Sequence, residues 1–239
     1  MNNMELPFVR DMFETIAPHY DFLNRLLSLR QDIVWRQSMV KAMEIPVNGR
    51  VLDAACGTCD VAIEINRQKG AEAYVAGVDF SPEMLRLGNS KIKSAIKGSR
   101  VQLAAANAFD LPFNPDTFDA VTIAFGIRNI ADKLSVLKVF HNHLKRGGML
   151  LVLELSTPQK GLMLDLYLFY FRKILPLVGW FFSKNLKAYR YLPASVLNFP
   201  GAVEFAAIMR EAGFCDVQWK KMTMGIVTLY RGRKKKGEV

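Results

Sequence analysis

The sequence predicts an α/β fold: a mostly parallel, seven-stranded sheet with helices on both faces and a helical cap. Three observations carry this. Five short apolar runs alternate with helical patterns between residues 50 and 154, the rhythm of a parallel sheet. Two of those runs end in an acid, Asp53 and Asp79, and small residues follow the first. Near the end, Cys215–Met222 and residues 226–231 read as a closing antiparallel pair.

Residues 8–44 read as helical. Phe13, Ile16 and Tyr20 form one apolar stripe. Leu23, Leu26, Leu27, Ile33, Val34 and Trp35 continue it past an expected break at Pro18. These helices precede the first strand, so residues 1–45 are expected to form a cap. The first strand is placed at 50–54. Val61, Ala62, Ile63 and Ile65 then mark a helix over 60–69. The second strand, 74–79, leads to Ser81 as N-cap and Pro82 at the first helical position. Strand three is placed at 101–105, a loop at 111–117 and strand four at 118–124. A helix near 132–144, a turn at Arg146-Gly147-Gly148 and strand five at 149–154 follow. Residues 201–212 read as a helix ending at Gly213. The whole is expected to be one domain. Its cofactor-binding core covers 46–156, an apolar insertion over the substrate 157–200, and the closing helix and strands 201–239.

The strand–turn–helix over Val51-Leu52-Asp53-Ala54-Ala55-Cys56-Gly57-Thr58-Cys59-Asp60 reads as a Rossmann-like nucleotide pocket, because backbone approaches a ligand closely only where side chains are small. A pyrophosphate on a helix N-terminus calls for a run of glycines. Here Gly57 is the one glycine, and Asp53 stands beside the site. An aspartate suits a cation instead. S-adenosylmethionine carries a sulfonium and an ammonium and no phosphate, so the turn favours a methyltransferase over a dehydrogenase. A generic α/β sheet with acids at strand ends is the plainer alternative. Asp79, about twenty residues on, is placed to accept hydrogen bonds from a ribose.

The chain has 239 residues, 51% hydrophobic and 23% charged, a globular composition with enough length for a full core. Its formal net charge of +10 points to an anionic partner. The basic residues are dispersed except for Arg231-Gly232-Arg233-Lys234-Lys235-Lys236. Charge alone suggests an RNA methyltransferase. No basic surface interleaved with aromatics accompanies it, so no nucleic-acid partner is expected. Three cysteines make no disulfide framework, and residues 1–20 contain no apolar stretch of the secretory kind. Both favour a cytoplasmic setting. Cys56 and Cys59 have the spacing of a redox or metal pair. His19, His141 and His143 offer no second ligand pair, so no metal is expected. Residues 161–182 are apolar and aromatic, but Asp165, Arg172, Lys173 and Pro176 interrupt them, which argues against a membrane-spanning helix. Two readings stay open: a helix packed inside the protein, or an apolar platform on a membrane surface or around a lipid tail. The aromatic density favours the platform.

Several segments together resemble the ubiquinone/menaquinone biosynthesis C-methyltransferases. Tyr20-Asp21-Phe22-Leu23-Asn24-Arg25-Leu26-Leu27-Ser28, followed by Trp35, is similar to that family's N-terminal signature, with Asp32 where histidine is frequent. Phe125-Gly126-Ile127-Arg128-Asn129-Ile130 resembles its most distinctive internal motif. Leu144-Lys145-Arg146-Gly147-Gly148 and Leu153-Glu154-Leu155-Ser156 resemble its later signature, with Arg146 where proline is usual. Tyr189-Arg190-Tyr191-Leu192 through Phe199-Pro200 resembles its C-terminal part. The likeness runs from about Phe13 to Arg231. One departure stands out: Cys56 and Cys59 occupy two positions where the family usually has glycine.

The resemblance implies the fold of the class I methyltransferases, S-adenosylmethionine as cofactor and a polyprenylated quinol as acceptor. Strand-end placement and the matching positions of the family put the cofactor over Gly57. Asp53 and Thr58 then lie at its amino-acid end, Thr58 bonding the carboxylate. Asp79 lies at the ribose, and Asn107 and Ala108 flank the adenine. Arg128 is expected to stabilise a developing phenolate, directly or through a water, unless it is tied up with a carboxylate. Asn129 is expected to fix that water or a quinol oxygen. Tyr20 and Asp21 are expected to close the substrate pocket from the cap, or to serve helix packing. A lipidic acceptor implies peripheral contact with the inner, anionic face of the cell membrane. Another small or lipidic acceptor, a non-catalytic membrane-associated relative and a homodimer remain open.

Overall fold

The computed structural model describes residues 5–158, 161–170 and 186–237. Two helices come first, α1 (Glu5–Leu27) and α2 (Gln31–Lys41). Then follow β1 (Arg50–Ala54), α3 (Asp60–Lys69), β2 (Tyr74–Asp79), α4 (Pro82–Ala95), β3 (Arg100–Ala105) and β4 (Phe118–Ala124). After β4 come a short 3₁₀ turn (Ile127–Asn129), α5 (Lys133–His143) and β5 (Leu144–Leu155). The remainder is α6 (Leu162–Phe169), α7 (Leu186–Leu197), α8 (Ala202–Glu211), β6 (Cys215–Met222), a 3₁₀ turn (Thr223–Gly225) and β7 (Val227–Arg233).

The strands form one sheet in the order β3-β2-β1-β4-β5-β7-β6. All are parallel except β7, which runs antiparallel to both neighbours. Alternate residues of the central strands enter two separate cores, because successive side chains point to opposite faces. Leu52, Val121, Leu150 and Val152 pack under α5 and α8 with Phe140, Phe205 and Met209. Val51, Ala120, Leu151 and Leu153 pack under α2 and α3 with Met39, Val40 and Ile65. Covering both faces explains why these strands read as continuous apolar runs.

The sheet order reverses between β1 and β4, and ligands of such sheets bind at the strands' carboxyl ends at that point. Gly126 lets the loop after β4 close on the loop after β1: a Cβ there would lie 2.8 Å from that of Ala55.

Two expectations about local structure need correction. Pro18 does not break the first helix, which runs through it to Leu27. Pro18 is solvent-exposed, where water can take up the hydrogen bond it removes. The break comes at Leu29 and Arg30, both in the left-handed region at φ 51° and 63°. The expected turn at 146–148 is instead an irregularity inside β5: Phe118 pairs with Leu144 and Ala120 with Met149. Gly147, at φ 78°, supplies the left-handed conformation.

Among the described residues no single helix is long and apolar enough to cross a membrane. The apolar segment is described only to residue 170. In α6, Tyr167 is buried while Leu166 and Phe169 are 52% and 58% exposed, so this part serves the interior and the surface together. Phe171, Trp180 and the rest of 171–182 lie outside the described residues.

Candidate active site

The acids at the strand ends set the electrostatics. Asp53 is the last residue but one of β1 and is 1% exposed. Its Oδ1 accepts a hydrogen bond from the Thr122 hydroxyl at 2.8 Å, and its Oδ2 is buried without a partner. Burial pushes its pKa up to about 7. Asp79 ends β2; its Oδ2 accepts from the Gly57 N–H at 2.8 Å and its Oδ1 from the Ser81 N–H at 2.9 Å. Burial raises its pKa, and these backbone donors oppose the rise. The loop between β1 and α3 bends sharply, with Ala55, Gly57 and Cys59 at φ 51°, 51° and 66°. A side chain at Gly57 would meet nothing within 4 Å, so the open space lies directly over this glycine.

That space is a cleft of about 810 Å³ lined by Gly57, Asp79, Phe80, Asn107, Ala108 and Phe125, among others. Asn107 and Ala108 reach it as expected. The Asn107 Oδ1 accepts from the Phe109 N–H at 3.1 Å, which fixes the turn. At the inner end a small hole of about 320 Å³ is lined by Asp53, Arg36, Gly57, Thr58 and Tyr20. S-adenosylmethionine fits this pair of spaces. The orphan Oδ2 of Asp53 matches an ammonium, Arg36 can face a carboxylate, and Asp79 keeps lone pairs for ribose hydroxyls.

Thr58 and Asp21 are placed differently from expectation. The Thr58 hydroxyl donates to Asp21 Oδ1 at 2.6 Å and faces the Lys91 ammonium at 3.2 Å. The proton of its hydroxyl is therefore spent on Asp21, which leaves its backbone N–H as the donor it could offer a cofactor carboxylate. Asp21 does not line the substrate space. It belongs to an ion network that ties the cap to the cofactor loop. Lys91 bridges Asp21 and Asp60, Arg25 binds Asp60 at 2.7 Å and also Asp32, and Arg36 binds Asp32 at 2.6 Å. Burial would raise the Asp60 pKa, but Arg36, Lys91 and Arg25 outweigh it and hold it down at about 2.

Beyond the cleft, α1, α2, α6 and α7 enclose a second space of about 1610 Å³, counting its open mouth. Its walls are largely apolar: Met12, Ile16, Leu23, Tyr167, Tyr170 and Leu192 contribute. The Tyr170 hydroxyl donates to the Leu27 carbonyl at 2.8 Å, which links α6 to the end of α1. Tyr20, Phe13 and Phe125 line both this chamber and the cofactor cleft, so the two spaces meet there. Burial raises the Tyr20 pKa, countered by the Arg36 and Arg128 charges. Phe125 sits at φ 59°, a strained angle for an aromatic residue. Its ring lies 5.2 Å from the Arg36 guanidinium carbon.

Arg128 lines the chamber and Asn129 the cleft. The Arg128 Nη1 donates to Glu154 Oε1 at 2.8 Å and to the Phe125 carbonyl. Its Nε is buried without a partner. So the carboxylate pairing held open by the sequence does occur, yet it takes only Nη1 and leaves the Nη2 donors over. Asn129 Oδ1 accepts from the Tyr191 hydroxyl at 3.1 Å. Sequence reasoning gave no role to Arg36, Glu154 or Tyr191. Glu154 had a usable signal: it is a third acid at the carboxyl end of a buried strand, like Asp53 and Asp79. Arg36 had only its i+4 spacing from Asp32.

The description "ubiE/COQ5 methyltransferase family" belongs to a family model that matches residues 1–234. A ubiquinone/menaquinone biosynthesis C-methyltransferase, UbiE, of Geotalea daltonii is 46% identical over 226 residues, 95% of this chain and 96% of that protein. A demethylmenaquinone methyltransferase of Geobacillus kaustophilus is 42% identical over 227 residues, 95% of this chain and 97% of that protein. Among solved structures, the [4+2]-cyclase SpnF superposes with a TM-score of 0.71 at 14% identity, covering 96% of each chain. A phosphoethanolamine N-methyltransferase of Haemonchus contortus, solved with S-adenosyl-L-methionine, gives 0.64 at 16% identity, covering 84% of this chain and 52% of that one. These distant structures share the fold while one carries a different chemistry, so the fold alone does not name a reaction. The close relatives and the matching model do: this chain belongs to the ubiE/COQ5 methyltransferase family.

Proposed function

We propose that this methyltransferase moves a methyl group from S-adenosylmethionine to a ring carbon of a polyprenylated quinol, in the chamber where Tyr20 and Phe125 join it to the cofactor cleft. The observation that carries the assignment of roles is Arg128 on the chamber wall, with its Nη1 held by Glu154 and the Phe125 carbonyl and its Nη2 without a partner among the described residues. The cofactor supplies an electrophilic methyl on a sulfonium: the carbon–sulfur bond breaks as a ring-carbon bond forms, leaving a thioether. A ring carbon is a strong nucleophile only when an adjacent hydroxyl is ionised. Arg128 offers an Nη2 N–H to that oxygen and stabilises the phenolate. The phenolic proton leaves to water; after transfer the ring proton also passes to water as aromaticity returns, and the oxygen takes one proton back, so one proton is released for each methyl group moved. Asn129, its amide oxygen held by Tyr191, turns its N–H₂ toward the cleft and steadies a second oxygen or a water. Tyr20 and Phe13 separate cofactor from chamber and leave a gap for the methyl group. Asp53 and Arg36 hold the amino-acid end, and Asp79 the ribose.

The division of labour follows the chain: cap over 1–45, cofactor core over 46–156, substrate cover over 157–200 and closing elements after 201. The chamber mouth carries Leu29, 82% exposed, and Leu166, 52% exposed. Phe22, Leu26 and Phe169 add apolar surface on the same helices. This rim suits the surface of an anionic bilayer from which a prenyl tail need not fully depart. The protein accordingly works as a peripheral enzyme at the inner membrane face.

The test is transfer of a labelled methyl group from S-adenosylmethionine to a demethylated, chemically reduced prenyl naphthoquinone or benzoquinone in detergent. Arg128→Ala should lower kcat by roughly 10²–10³ while cofactor affinity is kept. Transfer to neither quinol by the unaltered chain overturns the substrate; an unfolded or cofactor-free Arg128→Ala protein overturns the role of Arg128.

A further inference from the structure

We infer that Glu154 is a positioning residue for the reaction: it aims the Arg128 guanidinium and sets the charge that the quinol oxygen experiences. This rests on the proposed role of Arg128. Glu154 is fully buried, at 0% exposure, near the carboxyl end of β5, between the apolar run Met149–Leu153 and Leu155. Two of its three bonds come from Arg128. Oε1 accepts from Arg128 Nη1 at 2.8 Å and from the Leu155 N–H at 2.8 Å. Oε2 accepts from the Arg128 backbone N–H at 3.1 Å. Glu154 thus grips Arg128 by side chain and backbone together.

Two consequences follow from this geometry. First, Nη1 is consumed by Glu154 and the Phe125 carbonyl, so the guanidinium cannot rotate without breaking both bonds. Nε is left buried and unpartnered. A planar guanidinium fixed at one corner presents its remaining N–H groups in a set direction. Second, a buried carboxylate beside a buried cation cancels much of its field. Arg128 alone would favour the phenolate at all times; the pair tempers that attraction. Glu154 is engaged on both oxygens, so it is not the group that takes the phenolic proton.

Glu154→Gln keeps the shape and removes the charge; Glu154→Asp keeps the charge and shortens the reach. The experiment is the pH profile of kcat with the reduced quinone, alongside cofactor calorimetry and thermal unfolding of the full chain. In Glu154→Gln the acid limb should move to lower pH by about half a unit to one unit, because the unbalanced cation ionises the quinol more easily. Its plateau should fall about 10–100-fold as the aim of Arg128 is lost. In Glu154→Asp the plateau should fall while the limb stays. Cofactor affinity should change less than threefold in both. Wild-type plateaus, an unmoved limb in a folded Glu154→Gln protein, or loss of folding or cofactor binding in both variants would overturn the inference and leave Glu154 a packing residue. Failure of the unaltered chain to methylate either quinol would be the separate failure of the substrate assignment.

Discussion

At the residue scale the site depends on what burial does to single groups. Asp53 is the clearest case: a carboxylate with one oxygen unpartnered and a pKa raised to about 7. Near neutrality part of the free protein therefore carries a proton there. An arriving ammonium favours the ionised form, so cofactor binding should expel that proton. At pH 6.5, calorimetry in buffers of different ionisation enthalpy should show net proton release for the wild type and none for Asp53→Asn. Affinity should fall by about 1–3 kcal/mol in the variant, the usual loss for a charged hydrogen bond. Equal proton release in both proteins would remove Asp53 from the ammonium site. The same raised pKa has a cost to folding: an acid that holds its proton more tightly when folded destabilises the native state progressively from about pH 4 up to about pH 7. Asp53, Asp79 and Gly57 were legible in the sequence because strand ends and glycine turns are local features. The single-proton limit on Thr58 and the Glu154–Arg128 bond were not legible. Each depends on which residue of a distant element faces the group, and Asp21 lies 37 positions from Thr58.

At the scale of elements, the strands were legible from apolar runs and the helices from their periodicity and caps. Ser81 does cap α4, accepting the Met84 N–H at 3.3 Å. The misplaced break at Pro18 has a physical reason: proline weakens a helix, but packing of Met12, Phe13, Ile16 and Leu23 on one side holds α1 together through it. Sequence also missed what fastens this helix to the core. Asp60 at the first turn of α3 gathers Arg25 and Arg36 from the cap and Lys91 from α4. Its pKa, held at about 2, means its stabilisation is full above about pH 4 and is lost as pH falls through about 2. Asp60→Asn would leave three partly buried cations sharing two carboxylates, Asp32 and Asp21. Removing one member of such a network is expected to cost about 3–5 kcal/mol. Urea unfolding at pH 7 should show that loss, and the difference from wild type should shrink toward pH 2. An unchanged urea midpoint at pH 7 would mean the cap is held by its apolar contacts alone.

At the scale of the whole molecule, the proposed membrane contact would draw unequally on charge and on apolar surface. The net charge of +10 suggested a basic tail as an electrostatic aid. Much of that tail is committed internally: Arg231 binds Gln218, Arg233 pairs with Glu44, and Lys234 pairs with Asp116 at 2.8 Å. Exposed apolar side chains lie on and beside the helices that enclose the chamber: Phe22 and Leu26 on α1, Leu29 just after it, Leu166 and Phe169 on α6, with Leu29 and Leu166 lining the chamber. Burying one such side chain in lipid contributes about 1.5–3 kcal/mol, and each methylene of a prenyl tail about 0.8 kcal/mol. Exposed charges are screened within about 8 Å at physiological ionic strength. Apolar insertion should therefore dominate over attraction to head groups. In co-sedimentation with vesicles containing anionic lipid, the wild type should pellet at both low and high salt, with a modest loss at high salt. Leu29→Ser combined with Phe169→Ser should reduce the bound fraction at least tenfold at either salt, while methyl transfer to a short-tailed quinol in solution should be kept. Binding that vanishes for the wild type at high salt would assign the contact to charge, and equal binding of the double variant would place the membrane-facing surface elsewhere on the molecule.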